Sequence, residues 1–272
     1  MRKVTGYHPI VSTVGIGRGE RGREAEGRET GMTLWYEAAL ASFDTETTGV
    51  DVERDRIVTA ALVVQEAPGG PVLRRDWVVD PGLPIPAQAT AVHGLTDAWA
   101  REHGSAPGVA VEEMARALAE SARAGRPLVV MNAPYDLTLL DRELRRHRGL
   151  TLGQYLTGAP LLVLDPWVLD KRLDRYRKGR RNLGALCEFY GIALTEAHDA
   201  AADATAALEL TRAIGRRHQG QLEGLTAAEL HLRQAVWHAG QARGLEQWFS
   251  RSGAPAPVDT AWPLRLPLER AA

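Results

Sequence analysis

Cysteine is almost missing from this sequence. Cys187 stands alone among 272 residues, which excludes a disulfide within the chain and a cysteine-rich zinc site, and a reducing cytoplasmic setting is the compartment expected of it. Long apolar runs are missing too: nothing approaches the roughly 18 residues needed to span a bilayer, and the N-terminus has no secretory pattern of charge, apolar run and small residues. A membrane is therefore not an expected partner. Nor is there an excess of either charge, since 33 Lys+Arg against 34 Asp+Glu give a net charge of −1. That excludes a chain-wide basic coat, so contact with nucleic acid must come from a local cluster. Internal repeats are absent. What is present, 44% hydrophobic residues over this length, can bury a core without a metal or disulfide staple.

Residues 1–32 include GRGERGREAEGRETG, with mixed charge, five glycines and almost nothing to bury; they are expected to form a disordered leader. Translation from Met1 and from Met32 are both compatible with this. From Leu34 the texture changes. LASFDTETTG, RIVTAALVVQE and PVLRRDWVVD predict three strands, the last two joined by an APGG turn. A Pro-rich crossover follows, and then Val111, Met114, Ala115 and Leu118 recur at helical spacing, with Gly125 as the stop. RPLVVMN and LLVLD are short buried strands. Pro134 opens a helix lined by Leu137, Leu140 and Leu144, NLGALCEFYG is a short helix ended by Gly191, and an Ala-rich helix runs from about Asp199 to Ile214. Strands followed by βα alternation predict one α/β domain on a mixed sheet, over residues 33–218. Residues 219–272 are expected to form a helical extension, about Thr226 to Phe249, and a Pro-rich tail. Gly240 and Gly244 weaken that helix by about 1 kcal/mol each. Its stripe of Leu230, Trp237, Leu245 and Trp248 either packs on the main domain or receives a protein partner.

Asp44 and Glu46 are two residues apart at a strand end, so the pleat points both carboxylates to one side. Two acids on one face repel unless a cation sits between them, although exposed acids at strand ends are also common. Asp136 lies just inside a helix after a buried strand, near the edge of the sheet where α/β sites gather; helix N-terminal stabilisation is its other reading. His198 and Asp203 are five apart, which on an unbroken helix puts them about 140° from each other. His198 must then precede the helix. It is either a capping or surface residue, with Asp199 an equal candidate for the cap, or a ring that folds back over Asp203.

In this order, FDTETTG at 43–49, NAPYD at 132–136 and HDAAAD at 198–203 make the chain resemble the DEDDh branch of the DnaQ-like 3′–5′ exonucleases, in the ribonuclease H-like superfamily. The resemblance spans about residues 35–217, and AVHGLTD at 91–97 is similar to the family's intervening His-Gly loop. It implies a mixed five-stranded sheet flanked by helices. It also implies that Asp44, Glu46, Asp136 and Asp203 are metal ligands and that His198 is the general base. The cofactors implied are two divalent cations, Mg²⁺ or Mn²⁺, hard ions suited to oxygen ligands and phosphate. By the same resemblance, His93 and the backbone beside Thr47 meet the terminal nucleotide, with Asn132 and Tyr135 lining the cleft.

KRLDRYRKGRR at 171–181 has eight charged side chains of which only Asp174 is negative. Phosphate contacts from Arg177 and Arg180 and stacking on Tyr176 would hold a strand without reading its sequence; a solvated basic loop is the alternative. The expected function is 3′–5′ hydrolysis of single-stranded DNA to 5′-mononucleotides. An RNA or oligoribonucleotide exonuclease, and a catalytically idle binding or scaffold subunit, are the alternatives.

Overall fold

The computed structural model describes residues 34–194 and 197–266; the expected leader lies outside them. Three consecutive strands, β1 (Leu40–Thr47), β2 (Ile57–Gln65) and β3 (Val72–Val78), form an antiparallel meander. Strands β4 (Leu128–Val129) and β5 (Val163–Leu164) continue the sheet in parallel beyond β1, giving the order β3-β2-β1-β4-β5. The expected mixed five-stranded sheet is thus the observed one.

Alternation along β1 sorts its side chains between two cores. Ala41 and Phe43 join the cluster under α3 (Pro107–Arg123) and α4 (Ala133–Arg148), while Leu40 joins the cluster under α8 (Ala200–Arg217). The even-numbered positions after Leu40, which include Asp44 and Glu46, therefore look toward α8. That helix comes close to the sheet at its start because Ala61, Ala200 and Ala201 pack as a cluster of small side chains. Asp199 caps it, accepting from the backbone N–H of Ala201 at 3.1 Å and Ala202 at 2.9 Å.

The Pro-rich crossover contains two short helices, α1 (Ala87–His93) and α2 (Asp97–His103), where the sequence suggested only a connection. Gly94, with φ +75°, ends the first, and the Thr96 side chain caps the second. Helix α5 (Leu152–Leu156) precedes β5. The basic stretch also begins as helix: α6 (Pro166–Leu173) starts from the Asp165 cap with Pro166 in the first turn. Helix α7 (Leu183–Tyr190) ends at Gly191 as expected, and α9 (Gln219–Leu222) is a single turn.

Helix α10 (Ala227–Arg251) runs unbroken through Gly240 and Gly244, started by a Thr226–Glu229 capping box. Leu230, Gln234, His238 and Ala242 form its buried face. The expected stripe divides: Leu230 is buried and Trp237 packs on the core, whereas Leu245 is 37% and Trp248 60% exposed. Trp262 in the tail joins the core beneath α4. Among the described residues no helix is long and apolar enough to cross a membrane.

The far end of α8 is locked to the entry of β1. The buried Arg212 guanidinium donates to the carbonyls of Tyr36, Ala38 and Gln65 and to the Gln65 side chain. One turn on, a Cβ at Gly215 would lie 2.5 Å from the buried Tyr36 ring. Gly215→Ala is therefore expected to destabilise the fold by about 1–3 kcal/mol through overpacking, against the roughly 1 kcal/mol by which alanine favours a helix. Urea unfolding checks this, and adding Tyr36→Ala should remove most of the strain caused by Gly215→Ala.

Candidate active site

The acidic motifs converge where β1, α4 and α8 meet. Asp44 and Glu46 come from the α8-facing side of β1, paired across the ladder with Ala61 and Thr59 of β2. Ala61 is the residue on which Ala200 and Ala201 pack, so α8 starts close beside the two carboxylates. The register shifts between Glu46 and Thr47, ending the regular ladder just past the second acid.

Asp136 reaches the same strand from the first turn of α4. Its Oδ1 accepts from the Thr45 backbone N–H at 3.1 Å and from Thr45 Oγ1 at 2.6 Å. It is 4% exposed. Asp203, in the first turn of α8, accepts from the His198 backbone N–H at 3.3 Å through Oδ2, while its Oδ1 is buried without a hydrogen-bond partner. His198 adopts φ +69° ahead of the Asp199 cap. This left-handed turn removes the angular conflict expected of residues five apart on one helix. One ligand atom each from Glu46, His198 and Asp203 lies within 4.8 Å of the others.

The electrostatics follow from the crowding. Burial, followed by repulsion from Asp136, Asp203, Glu46 and Asp199, holds Asp44 well above the usual carboxylate range. Burial and then Asp203, Asp136 and Asp199 push Glu46 up to about 8. Asp136 is raised by burial to about 7 even though the Thr45 bonds oppose the shift, and burial raises Asp203 against the opposing His198 contact. Carboxylates packed this way resist ionising together unless positive charge joins them. The orphaned Asp203 Oδ1 and the clustered carboxylate oxygens fit a hard divalent cation, with Glu46 and Asp203 placed to hold one and the His198 ring beside them.

Several of the expected substrate residues surround this cluster. His93, at the end of α1, donates from Nε2 to the Thr47 carbonyl at 3.2 Å and accepts the Leu95 N–H on Nδ1 at 3.0 Å. Burial lowers its pKa, and the neighbouring His198 lowers it further. Thr47 Oγ1 bonds the Tyr135 hydroxyl at 2.6 Å, and the Tyr135 hydroxyl also donates to the Gly49 carbonyl. Asn132 is exposed, with φ +60°, its N–H held by Asp165 Oδ1 at 3.1 Å.

The basic stretch behaves differently from a uniform loop of free cations. Arg177 turns inward to Asp170 at 3.3 Å, its side chain only 6% exposed, and donates to the carbonyls of Lys178 and Arg180. Three of its N–H groups are thus engaged within the protein, which gives Arg177 a part in shaping the loop. Arg180 remains exposed, and Tyr176 is 86% exposed.

Three further residues shape the site, of which the sequence had marked only Asp199, as a cap candidate. Thr45 grips Asp136, Asp199 starts α8, and Asp165 holds the backbone N–H groups of Asn132 and Ala133. For Asp165 a signal existed: an Asp-Pro step closing a buried strand is a helix-start pattern.

The family description RNase_T, Exonuclease, matches residues 42–211. A DNA polymerase III subunit epsilon-like protein of Rhodobacter capsulatus is 36% identical over 173 residues, covering 61% of this chain and 22% of that protein. A DNA polymerase III PolC-type of Streptococcus thermophilus is 32% identical over 171 residues, covering 62% of this chain and 11% of its own length. This chain thus spans less than a quarter of either relative. Among solved structures, E. coli exonuclease I in complex with a dT13 oligonucleotide has a TM-score of 0.57 at 16% identity, covering 68% of this chain and 42% of that one. Exonuclease I from Methylocaldum szegediense has a TM-score of 0.56 at 19% identity, covering 78% and 46%. With the matched segment containing all four converging acids and His198, the chain belongs to the RNase_T exonuclease family, DnaQ-like members of the ribonuclease H-like superfamily.

Proposed function

We propose that this protein is a divalent-cation-dependent 3′–5′ exonuclease that shortens single-stranded DNA by one 5′-mononucleotide at a time. The carrying observation is the convergence of Asp44, Glu46, Asp136 and Asp203 beside His198, with all four carboxylate pKa values raised, first of all by burial, and one oxygen of Asp203 left without a hydrogen-bond partner. The DNA reading is supported by the dT13 strand bound to E. coli exonuclease I and by the DNA polymerase names of the sequence relatives.

In this reading the four acids hold two divalent cations, Mg²⁺ or Mn²⁺. When bound, such ions supply Lewis acidity to the attacking water and neutralise charge on the phosphate and departing oxygen. His198 takes a proton from water as its oxygen forms the new bond to phosphorus. The P–O3′ bond then breaks, leaving the phosphate on the released nucleotide and, on the strand, a 3′-oxygen that takes a proton from solvent to become the new 3′-hydroxyl. Thr45 keeps Asp136 aimed, and the His93–Thr47 bond and the Thr47–Tyr135 pair fix the wall against which the last nucleotide rests. Exposed Asn132 lies at the mouth. Farther out, Tyr176 stacks a base and Arg180 contacts phosphate, with Arg177 setting the loop between them.

His198→Ala should lower kcat by about 10²–10⁴-fold with little change in KM, the usual contribution of a general base. Asp44→Asn and Asp203→Asn should abolish cation-dependent cleavage. A 5′-labelled single strand incubated with Mg²⁺, Mn²⁺ or EDTA reads activity, direction and cation together, and the matching RNA tests the sugar. Retained Mg²⁺-dependent cleavage in Asp203→Asn would remove that residue from the proposed site.

The raised carboxylate pKa values also set a pH dependence. Between their unfolded values, near 4, and about 7–8 in the fold, the native state holds protons that the unfolded chain has lost. Cation-free stability should therefore decline as pH rises across that window and level off above it. Added Mg²⁺ should raise the melting temperature more at pH 8 than at pH 6, because cation binding needs the ionised acids. Thermal unfolding in EDTA and in Mg²⁺ checks both trends; an equal Mg²⁺ shift at the two pH values would contradict the link.

A further inference from the structure

Beyond the acid cluster, α6 and α10 enclose an open groove of about 620 Å³. Lys171, Arg172, Arg175 and Arg181 line one wall. Only Arg181 has a close acidic partner here: the buried Asp170 is engaged by Arg177 and Arg181, and among the described residues no ion pair involves Lys171, Arg172 or Arg175. Burial and the Arg181 charge lower the Lys171 pKa, the mark of a cation lacking a counter-charge.

Aromatic faces accompany these cations. Lys171 Nζ sits 4.3 Å over the Trp167 ring, and Arg172 Cζ lies 5.5 Å from the centre of the Trp237 ring. Trp248 projects from the opposite wall at 60% exposure. Between the tryptophans, Gly240 and Gly244 form part of the α10 wall, and a Cβ at either would meet nothing within 4 Å. Two glycines inside a helix cost about 1 kcal/mol each relative to alanine, and no close helix packing accounts for them here. What they provide is a bare strip of backbone beside the aromatic faces.

From these observations we infer that the α6–α10 groove binds the body of a single-stranded nucleic acid on the 5′ side of its reacting end, with phosphates on Lys171, Arg172 and Arg175 and bases against Trp237 and Trp248. Stacking surfaces interleaved with unneutralised cations are what a sequence-independent strand track requires. Continuity supports the assignment. Helix α6 starts at Asp165, whose carboxylate holds the Asn132–Ala133 backbone at the acid cluster, and Lys171 lies six residues on, about 9 Å along the axis. The inference rests on the nuclease reading for the direction of the strand.

The test uses fluorescence anisotropy of a labelled 20-nucleotide single strand with the full chain in EDTA, where cation-dependent cleavage is switched off. Arg172→Gln/Arg175→Gln should weaken binding at least tenfold. It should also flatten the slope of log affinity against log salt by about 1.4, from about 0.7 per lost phosphate contact. Trp248→Ala should weaken binding about fivefold or more. A trinucleotide, too short to run from the acid cluster along the groove, should show less than a twofold change, and thermal unfolding verifies that the variants are folded. With Mg²⁺, the kcat/KM preference for the 20-mer over the trinucleotide should drop tenfold, through KM. Unchanged 20-mer affinity and salt slope would overturn the groove assignment and leave the surface to an acidic protein segment. If the native protein cleaves no strand in Mg²⁺ or Mn²⁺, the nuclease reading fails while the EDTA measurements still decide the groove.

Discussion

The burial of four clustered carboxylates is the constraint around which this molecule is built. Each acid is placed where burial and its neighbours resist its charge, and a pliable framework would relieve this by letting the side chains swing apart. Relief is blocked on every side. Asp136 is gripped twice by Thr45, and the pleat of β1 aims Asp44 and Glu46 toward α8. The Ala61–Ala200–Ala201 contact brings Asp203 down onto that face. At the opposite end of α8, Arg212 and Gly215 prevent the helix from sliding or lifting, because any shift would break bonds to three backbone carbonyls or drive the helix into Tyr36. Core packing and capping thus maintain a charge arrangement that is unfavourable on its own, and this is how a cation site is held ready in advance.

How much of this could be read from the residues depended on how local the determining physics is. The three long strands and α3, α4 and α8 show themselves by periodicity and by start signals such as Pro134 in the first turn of α4 and the Asp199 cap of α8. The acid positions show themselves because three short motifs occur in order. Helices α1 and α2 did not, since seven-residue helices among prolines are stabilised chiefly by what they pack against: Ala89 of α1 and Ala100 of α2 pack with Ile85 on Val58 of β2. The fate of Arg177 was equally hidden. Its charge suggested a phosphate ligand, yet the buried Asp170 on the preceding helix claims it, an outcome set by how the chain turns between them. For His198 the sequence showed that a continuous helix was impossible, but the left-handed backbone that resolves the conflict is visible only in three dimensions. Trp248 fell on the expected stripe and nevertheless faces outward, because α10 buries its Gln234–His238–Ala242 side instead.

Among the ties between the region beyond the matched residues 42–211 and the site, one buried acid joins several elements at once. Asp165 accepts from Asn132, Ala133, Trp167 and Val168 backbone N–H groups and from the Trp262 indole, and its own N–H donates to Gln234 of α10. Burial still lifts its pKa to about 6, so these donors do not fully offset the loss of water. Their arrangement has a mechanical consequence. The turn that launches α4 and Asp136, the start of α6 and the tail are bonded to its carboxylate, and the long C-terminal helix to its backbone N–H. A displacement of α10 would have to stretch the Gln234 bond and disturb β5, and one of the tail would withdraw the indole donor from a group that has no water to replace it. The groove on α6 and α10 is consequently held in a fixed relation to the acid cluster. A strand lying in that groove would present its end to the acids at a constant reach, set by the protein and independent of the bases it carries.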